Sequence, residues 1–104
     1  MTLKQIQAFV ASVDPQARHY FSREETVDFT RWQEHSRLGV MGDSRHAEEA
    51  WSFQIDRFTR DGDDPVYAAF VTALENNPRI CWREETLFET DTGYIHHVFI
   101  CQGV

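Results

Sequence analysis

Apolar positions recur along this chain with two periods, and the switch between them marks out its elements. Leu3, Ile6, Val10 and Val13 fall on one helical stripe, with Phe9 beside it. Thr2 stands before the stripe as an N-cap, and Gln5 three residues later completes a capping box. Asp14-Pro15 ends the run, because proline disfavours helical geometry in the residue before it. The spacing predicts an amphipathic helix of about three turns, too short to stand alone.

The period then falls to two. His19, Tyr20 and Phe21 begin a short strand that Glu24-Glu25 interrupts. Val27, Phe29 and Arg31 alternate with Asp28, Thr30 and Trp32, which predicts a strand over 26–34. His35-Ser36-Arg37 turns the chain, and 38–41 is read as a further short strand. The stretch 41–49 is polar and aperiodic, a loop of about ten residues, long for a compact domain. Trp51, Phe53 and Ile55 alternate with Ser52, Gln54 and Asp56 over a strand at 51–60. Its period breaks between Ile55 and Phe58, so a bulge is expected near Asp56 or Arg57.

Asp61-Gly62-Asp63-Asp64-Pro65 is both a turn and a helix start, with Asp64 as cap and Pro65 at the first helical position. Val66, Phe70, Ala73 and Leu74 make one helical face. Ala68, Ala69 and Ala73 are small enough to bring that helix close to a sheet, and Asn76-Asn77-Pro78 stops it. Two alternating runs then flank Thr90-Asp91-Thr92-Gly93, a hairpin signal. With the turn centred on Asp91, Ile80, Trp82, Glu84, Thr86 and Phe88 share a face with Tyr94, His96, Val98 and Ile100. Cys81, Arg83, Glu85 and Leu87 then share the other with Ile95, His97, Phe99 and Cys101. Both faces carry apolar groups, one for the chain's own helices and one for a neighbouring subunit. The expected fold is α+β, a mostly antiparallel sheet with two helices packed on one face, in the order α-β-β-β-α-β-β.

Composition narrows the function classes. At 104 residues the chain is a single domain over 1–104, with eight Phe, three Trp and three Tyr to build a core. No apolar run is long enough to span a membrane, and the N-terminus lacks the pattern of a signal peptide. The formal net charge of −7, with ten scattered Lys and Arg, disfavours sequence-specific nucleic-acid binding. Cys81 and Cys101 read as small apolar residues, with a disulfide the minority alternative.

Candidate chemistry is sparse. His96 and His97 are adjacent on a strand and point to opposite faces, so they do not share a metal easily. Cys81, Cys101 and His97 would share a face in the expected register, but their spacing matches no common zinc pattern. Glu84 and Glu85 diverge and do not form an acid–base pair. No nucleophile elbow, phosphate loop or dinucleotide fingerprint is present. No catalytic residue, cofactor or metal is expected. The long polar loop, with Gly42, Asp43, Ser44, Arg45, His46 and Glu48, is the candidate contact for another copy or a partner.

The order of elements, the strand Trp51-Ser52-Phe53-Gln54-Ile55-Asp56-Arg57-Phe58 leading to a capped helix, and the closing run Asp91-Thr92-Gly93-Tyr94-Ile95-His96-His97-Val98-Phe99 resemble the tail-terminator, or tail-completion, proteins of long-tailed bacteriophages. The run Thr30-Arg31-Trp32-Gln33-Glu34 is similar to that family's first strand. The resemblance implies a non-enzymatic virion protein, assembled in the bacterial cytoplasm, that forms a ring of its own copies, commonly a hexamer. Its partners would be the tail-tube protein and the head connector. It carries over no individual functional residue. The alternative class is a small acidic adaptor or inhibitor, of the immunity or anti-defence type, that binds a basic protein.

Overall fold

The computed structural model describes residues 1–20, 27–38 and 49–104. Helix α1 (Leu3–Val13) starts as its capping box dictates. Thr2 Oγ1 accepts from the Gln5 N–H at 3.1 Å, and Gln5 Oε1 accepts from the Thr2 N–H at 2.9 Å. β1 (Arg18–His19) follows, then β2 (Phe29–Leu38) and β3 (Ala50–Thr59). Helix α2 (Pro65–Glu75) has Asp64 at its N-cap and Pro65 in its first turn. β4 (Ile80–Phe88) and β5 (Ile95–Gly103) close the chain. The fold is α+β in the order α-β-β-β-α-β-β, as the periodicity predicts.

The strands form one sheet in the order β1-β2-β3-β5-β4. β1 runs parallel to β2, and the other neighbours are antiparallel. Register decides which side chains meet the helices. Trp32, Ile55 and Phe99 lie in one cross-strand row, and Phe53 and Cys101 in the next. Ile6 and Val10 of α1 and Phe70 and Leu74 of α2 pack on them as a single core. Burying each such side chain contributes about 1.5–3 kcal/mol of transfer free energy. Gly103 ends the last strand inside this core. A Cβ there would lie 3.0 Å from the Met1 sulfur and 3.2 Å from the Phe53 ring, so any larger residue makes those two side chains give way.

Several strand details differ from the sequence reading, each for a local reason. The stretch 29–38 is one strand, not a strand, a turn and a second strand. Its register shifts between Glu34 and Ser36, a bulge that His35 absorbs without turning the chain. His35, Ser36 and Arg37 are exposed, so no apolar alternation marks them as strand. Positions 26 and 39–41 of the expected strands lie outside the described residues. β3 carries no bulge, and its pairing runs unbroken from Trp51 to Thr59 on the β5 side. Its period breaks because Ile55, Asp56, Arg57, Phe58 and Thr59 are all buried, on both faces of a central strand.

The final hairpin is shifted by one residue from the expected pairing. Its turn closes with the Glu89 N–H on Tyr94 O at 2.8 Å and the Gly93 N–H on Glu89 O at 2.8 Å. Gly93 takes φ 77°, the left-handed geometry that a four-residue loop over 90–93 requires. Trp82 therefore faces Cys101, and Cys81 faces Gln102. A slip of one residue exchanges the faces of a whole strand. Ile80, Trp82, Glu84 and Thr86 thus share the helix side with His97, Phe99 and Cys101. Cys81, Arg83, Glu85 and Leu87 share the opposite, open side with His96, Val98 and Ile100. The two thiols are free, Cys81 exposed and Cys101 buried, on opposite faces. Ala68 and Ala69 are exposed rather than set against the sheet, and with Ala73 they line a shallow hollow beside Ser12 and Val13 of α1.

Candidate functional site

Polar side chains gather on both faces of the sheet, and β3 supplies the centre of each group. On the helix side Arg57 is almost wholly buried. Its guanidinium grips Asp64 with two bonds, Nε to Oδ2 at 2.7 Å and Nη2 to Oδ1 at 3.2 Å. Nη1 donates to Thr30 Oγ1 at 3.3 Å and stands 3.8 Å from Asp14 Oδ2. Asp64 also caps α2, accepting from the N–H groups of Val66 and Tyr67. One side chain thus ties the end of α1, the start of α2 and two strands together. Burial raises the Asp64 pKa, but the Arg57 bonds and charge and the two backbone donors outweigh it, and the carboxyl sits below the usual range.

Next to this clasp, Tyr67 lies flat on His97, ring centres 3.8 Å apart. Tyr67 Oη donates to the Glu84 carboxylate, 2.8 and 2.9 Å from its two oxygens. Thr86 Oγ1 donates to Glu84 Oε2 at 2.9 Å and lies 3.1 Å from His97 Nδ1. A hydroxyl has one proton, so with Glu84 receiving it the Thr86 oxygen accepts from a His97 Nδ1–H. Burial, with the neighbouring carboxylate, pushes the Tyr67 pKa up to about 12. Burial lowers that of His97, and the charges of Glu84 and Asp64 only partly oppose it. The imidazole packs flat against Tyr67.

On the open side Asp56 is 1% exposed although no helix covers it among the described residues. Its own neighbours bury it. His96 Nε2 lies 2.7 Å from Oδ1, Gln54 Nε2 donates to Oδ1 at 2.8 Å, and Arg31 Nε faces Oδ2 at 3.6 Å. His35 Nε2 extends the chain to Gln54 Oε1 at 3.1 Å. His96 stacks on Phe58, Phe58 stacks on Phe29, and Tyr94 meets both edge-on. Arg60 lies over the Tyr94 ring at 3.9 Å. This His–Asp pair has an aromatic ring against it, and Leu87 is its cross-strand neighbour on β4.

Among the described residues the sheet ends at β4. Leu87 and Phe88 near the end of that strand are 56% and 65% exposed. Arg83 and Glu85 bridge each other along the strand at 2.6 Å. A hollow of about 220 Å³ opens beside them, lined by Cys81, Trp82, Arg83, Ile100 and Gln102.

His96 and His97 do lie on opposite faces, and Glu84 and Glu85 diverge likewise. The observed register separates Cys81 from Cys101 and His97, so the three-ligand set does not form. Among the described residues no group of three His, Cys, Asp or Glu side chains is placed to hold a metal. The contact-loop residues Gly42, Asp43, Ser44, Arg45, His46 and Glu48 lie outside the described residues. Sequence reasoning missed Asp56 and Arg57 as network centres. Their signal was present: two consecutive charged residues between Ile55 and Phe58, where a buried strand should carry apolar side chains. No protein-family model matches this chain, and no curated protein does either. No helix among the described residues is long and apolar enough to cross a membrane.

Proposed function

We propose that the chain is a structural subunit of a long-tailed phage, a tail-terminator or tail-completion protein that forms a ring on the end of the tail tube and presents a surface to the head connector. The observation that carries this reading is the one-sided cover of the sheet. One face is filled by the chain's own helices, while the other carries an ion and aromatic network and has no helix over it among the described residues. Such a subunit has a finished flank and an available flank, which suits head-to-tail contacts that close by rotation. The element order supports the same reading. A formal net charge of −7 suits a ring that lets DNA pass without gripping phosphate.

Polymerising tail-tube protein with and without this chain, followed by electron microscopy, tests the proposal. Tubes capped at one end by a ring, and halted in length, are expected. Tubes that grow to the same length, with no density added at either end, overturn it. Capture of a basic protein in place of the tube would favour the adaptor class instead.

A further inference from the structure

We infer that β4 is a self-complementary edge, where two copies of the chain pair antiparallel about a two-fold axis at Glu84 and join their sheets. Three observations on this strand converge. The first is its bonding pattern. The Glu89 N–H donates to Tyr94 O, and the Val104 N–H donates to Arg79 O, at the two ends of the β4–β5 pairing. Antiparallel bonding alternates, so the odd-numbered residues between them bond to β5. Trp82, Glu84, Thr86 and Phe88 turn their N–H and C=O groups to the free edge, and Ile80 its C=O, its N–H being taken by Asn77 O at 3.2 Å. Among the described residues no strand takes them up, and β4 carries no proline or bulge to blunt it.

The second is charge. With the axis at Glu84, Arg83 lies opposite Glu85 of the second copy, and Glu85 opposite its Arg83. The two in-strand bridges of 2.6 Å thereby become a closed square of alternating charges on the open face. Moving the axis by one repeat loses this, since Glu85 would then face Leu87, or Arg83 would face Cys81. The third is shape. The same register sets the exposed Leu87 of the second copy opposite Cys81, at the mouth of the 220 Å³ hollow. The two-fold repeats that contact at the other end, and on the helix side it places Phe88 against Ile80. Glu84 is the one mismatched position, since it faces its own copy. Its carboxylate leans to Tyr67, which lies over His97 of β5, and so away from the edge.

This inference does not rest on the ring reading. An isologous contact closes on itself, so it joins two free subunits, or two rings built through another surface. Sedimentation velocity on the purified chain over a range of concentrations tests it without any tube protein. A concentration-dependent dimer is expected. Arg83→Glu and Glu85→Arg should each weaken it by about tenfold, because each places like charges opposite one another twice. An equal mixture of the two variants should restore the dimer, as only the mixed pair regains both Arg–Glu contacts. Glu84→Gln, which keeps an acceptor for Tyr67, should tighten it. Circular dichroism on each variant confirms that these exposed changes leave the fold intact. A chain that stays monomeric throughout overturns the inference. So does a mixture that associates no better than either variant alone, which would mean that β4 meets a different surface.

Discussion

His96 and His97 are consecutive residues of one strand, yet they stand in two different chemistries. His97 faces the helices, pressed flat under Tyr67 with a hydroxyl at its Nδ1. His96 faces the open side and completes the shell around Asp56. Arg57 and Asp56 repeat the contrast one strand away. On the helix side a single bidentate pair, with Thr30 and Asp14 beside it, holds helix ends and strands together. On the open side a carboxylate is kept dry by several polar and aromatic neighbours of its own sheet. A buried charge can therefore serve as a tie between elements, or as the centre of a polar network within one sheet face, according to the face it meets.

The largest break in that comparison should come from the clasp. Arg57→Ala leaves Asp64 buried without its counter-ion and removes one tie between the start of α2 and the strands. A loss of about 3–5 kcal/mol is expected. Arg31→Ala on the open face should cost only about 1 kcal/mol, because His96 and Gln54 still bond Asp56. Urea unfolding of both variants measures the difference. Equal losses would show that the two networks do the same structural work.

The sign of the pH response sharpens the contrast. The pKa of His97 is lower in the folded chain than in the unfolded one, where it titrates near the ordinary value of about 6.5. Unfolding therefore takes up a proton below that value, and stability falls as the pH drops from about 6.5 towards the folded pKa. Asp64, also lowered, adds its own loss further down, below about 3.9. His97→Phe keeps a ring under Tyr67 and removes the first of these losses. Its urea midpoint should fall less between pH 7 and pH 5 than that of the unchanged chain. The unaltered histidines contribute equally to both proteins and cancel, so an identical fall would rule out His97 as the source.

What was legible in the sequence follows the same division. Both helices could be read because their signals are local: Thr2 with Gln5, Asp14-Pro15, Asp64-Pro65, Asn76 before Pro78. The hairpin was legible from Thr90-Asp91-Thr92-Gly93, but its register was not. Placing the turn centre half a residue early exchanges every partner, and only the Glu89–Tyr94 closure and the left-handed Gly93 settle it. β2 was cut in two because its outer half is wet and so carries no apolar period. The polar networks were hidden for a different reason. Alternation reports burial by apolar side chains, whereas Asp56 and Arg57 are buried by partners distant in sequence, His96 for Asp56 and Asp14 for Arg57. The contact loop drawn from residues 42–48 has no counterpart among the described residues. The features that stand out instead are a face and an edge, which composition alone cannot locate.

The smallest expected effect separates a surface from a support. Arg83 and Glu85 form a short bridge, but both side chains are more than half exposed. Water and salt screen such a pair, and the median contribution to folding is about 0–1 kcal/mol. Replacing both by alanine should therefore leave the urea midpoint of the monomer nearly unchanged when measured at low protein concentration. The same double variant should lose the cross-copy contacts at β4 and shift the dimer to higher concentration. A change in folding stability matched by no change in association would make the pair a local brace of the strand. No change in folding with weakened association would mark it as an interface, the role that its exposure and its place on the free edge favour.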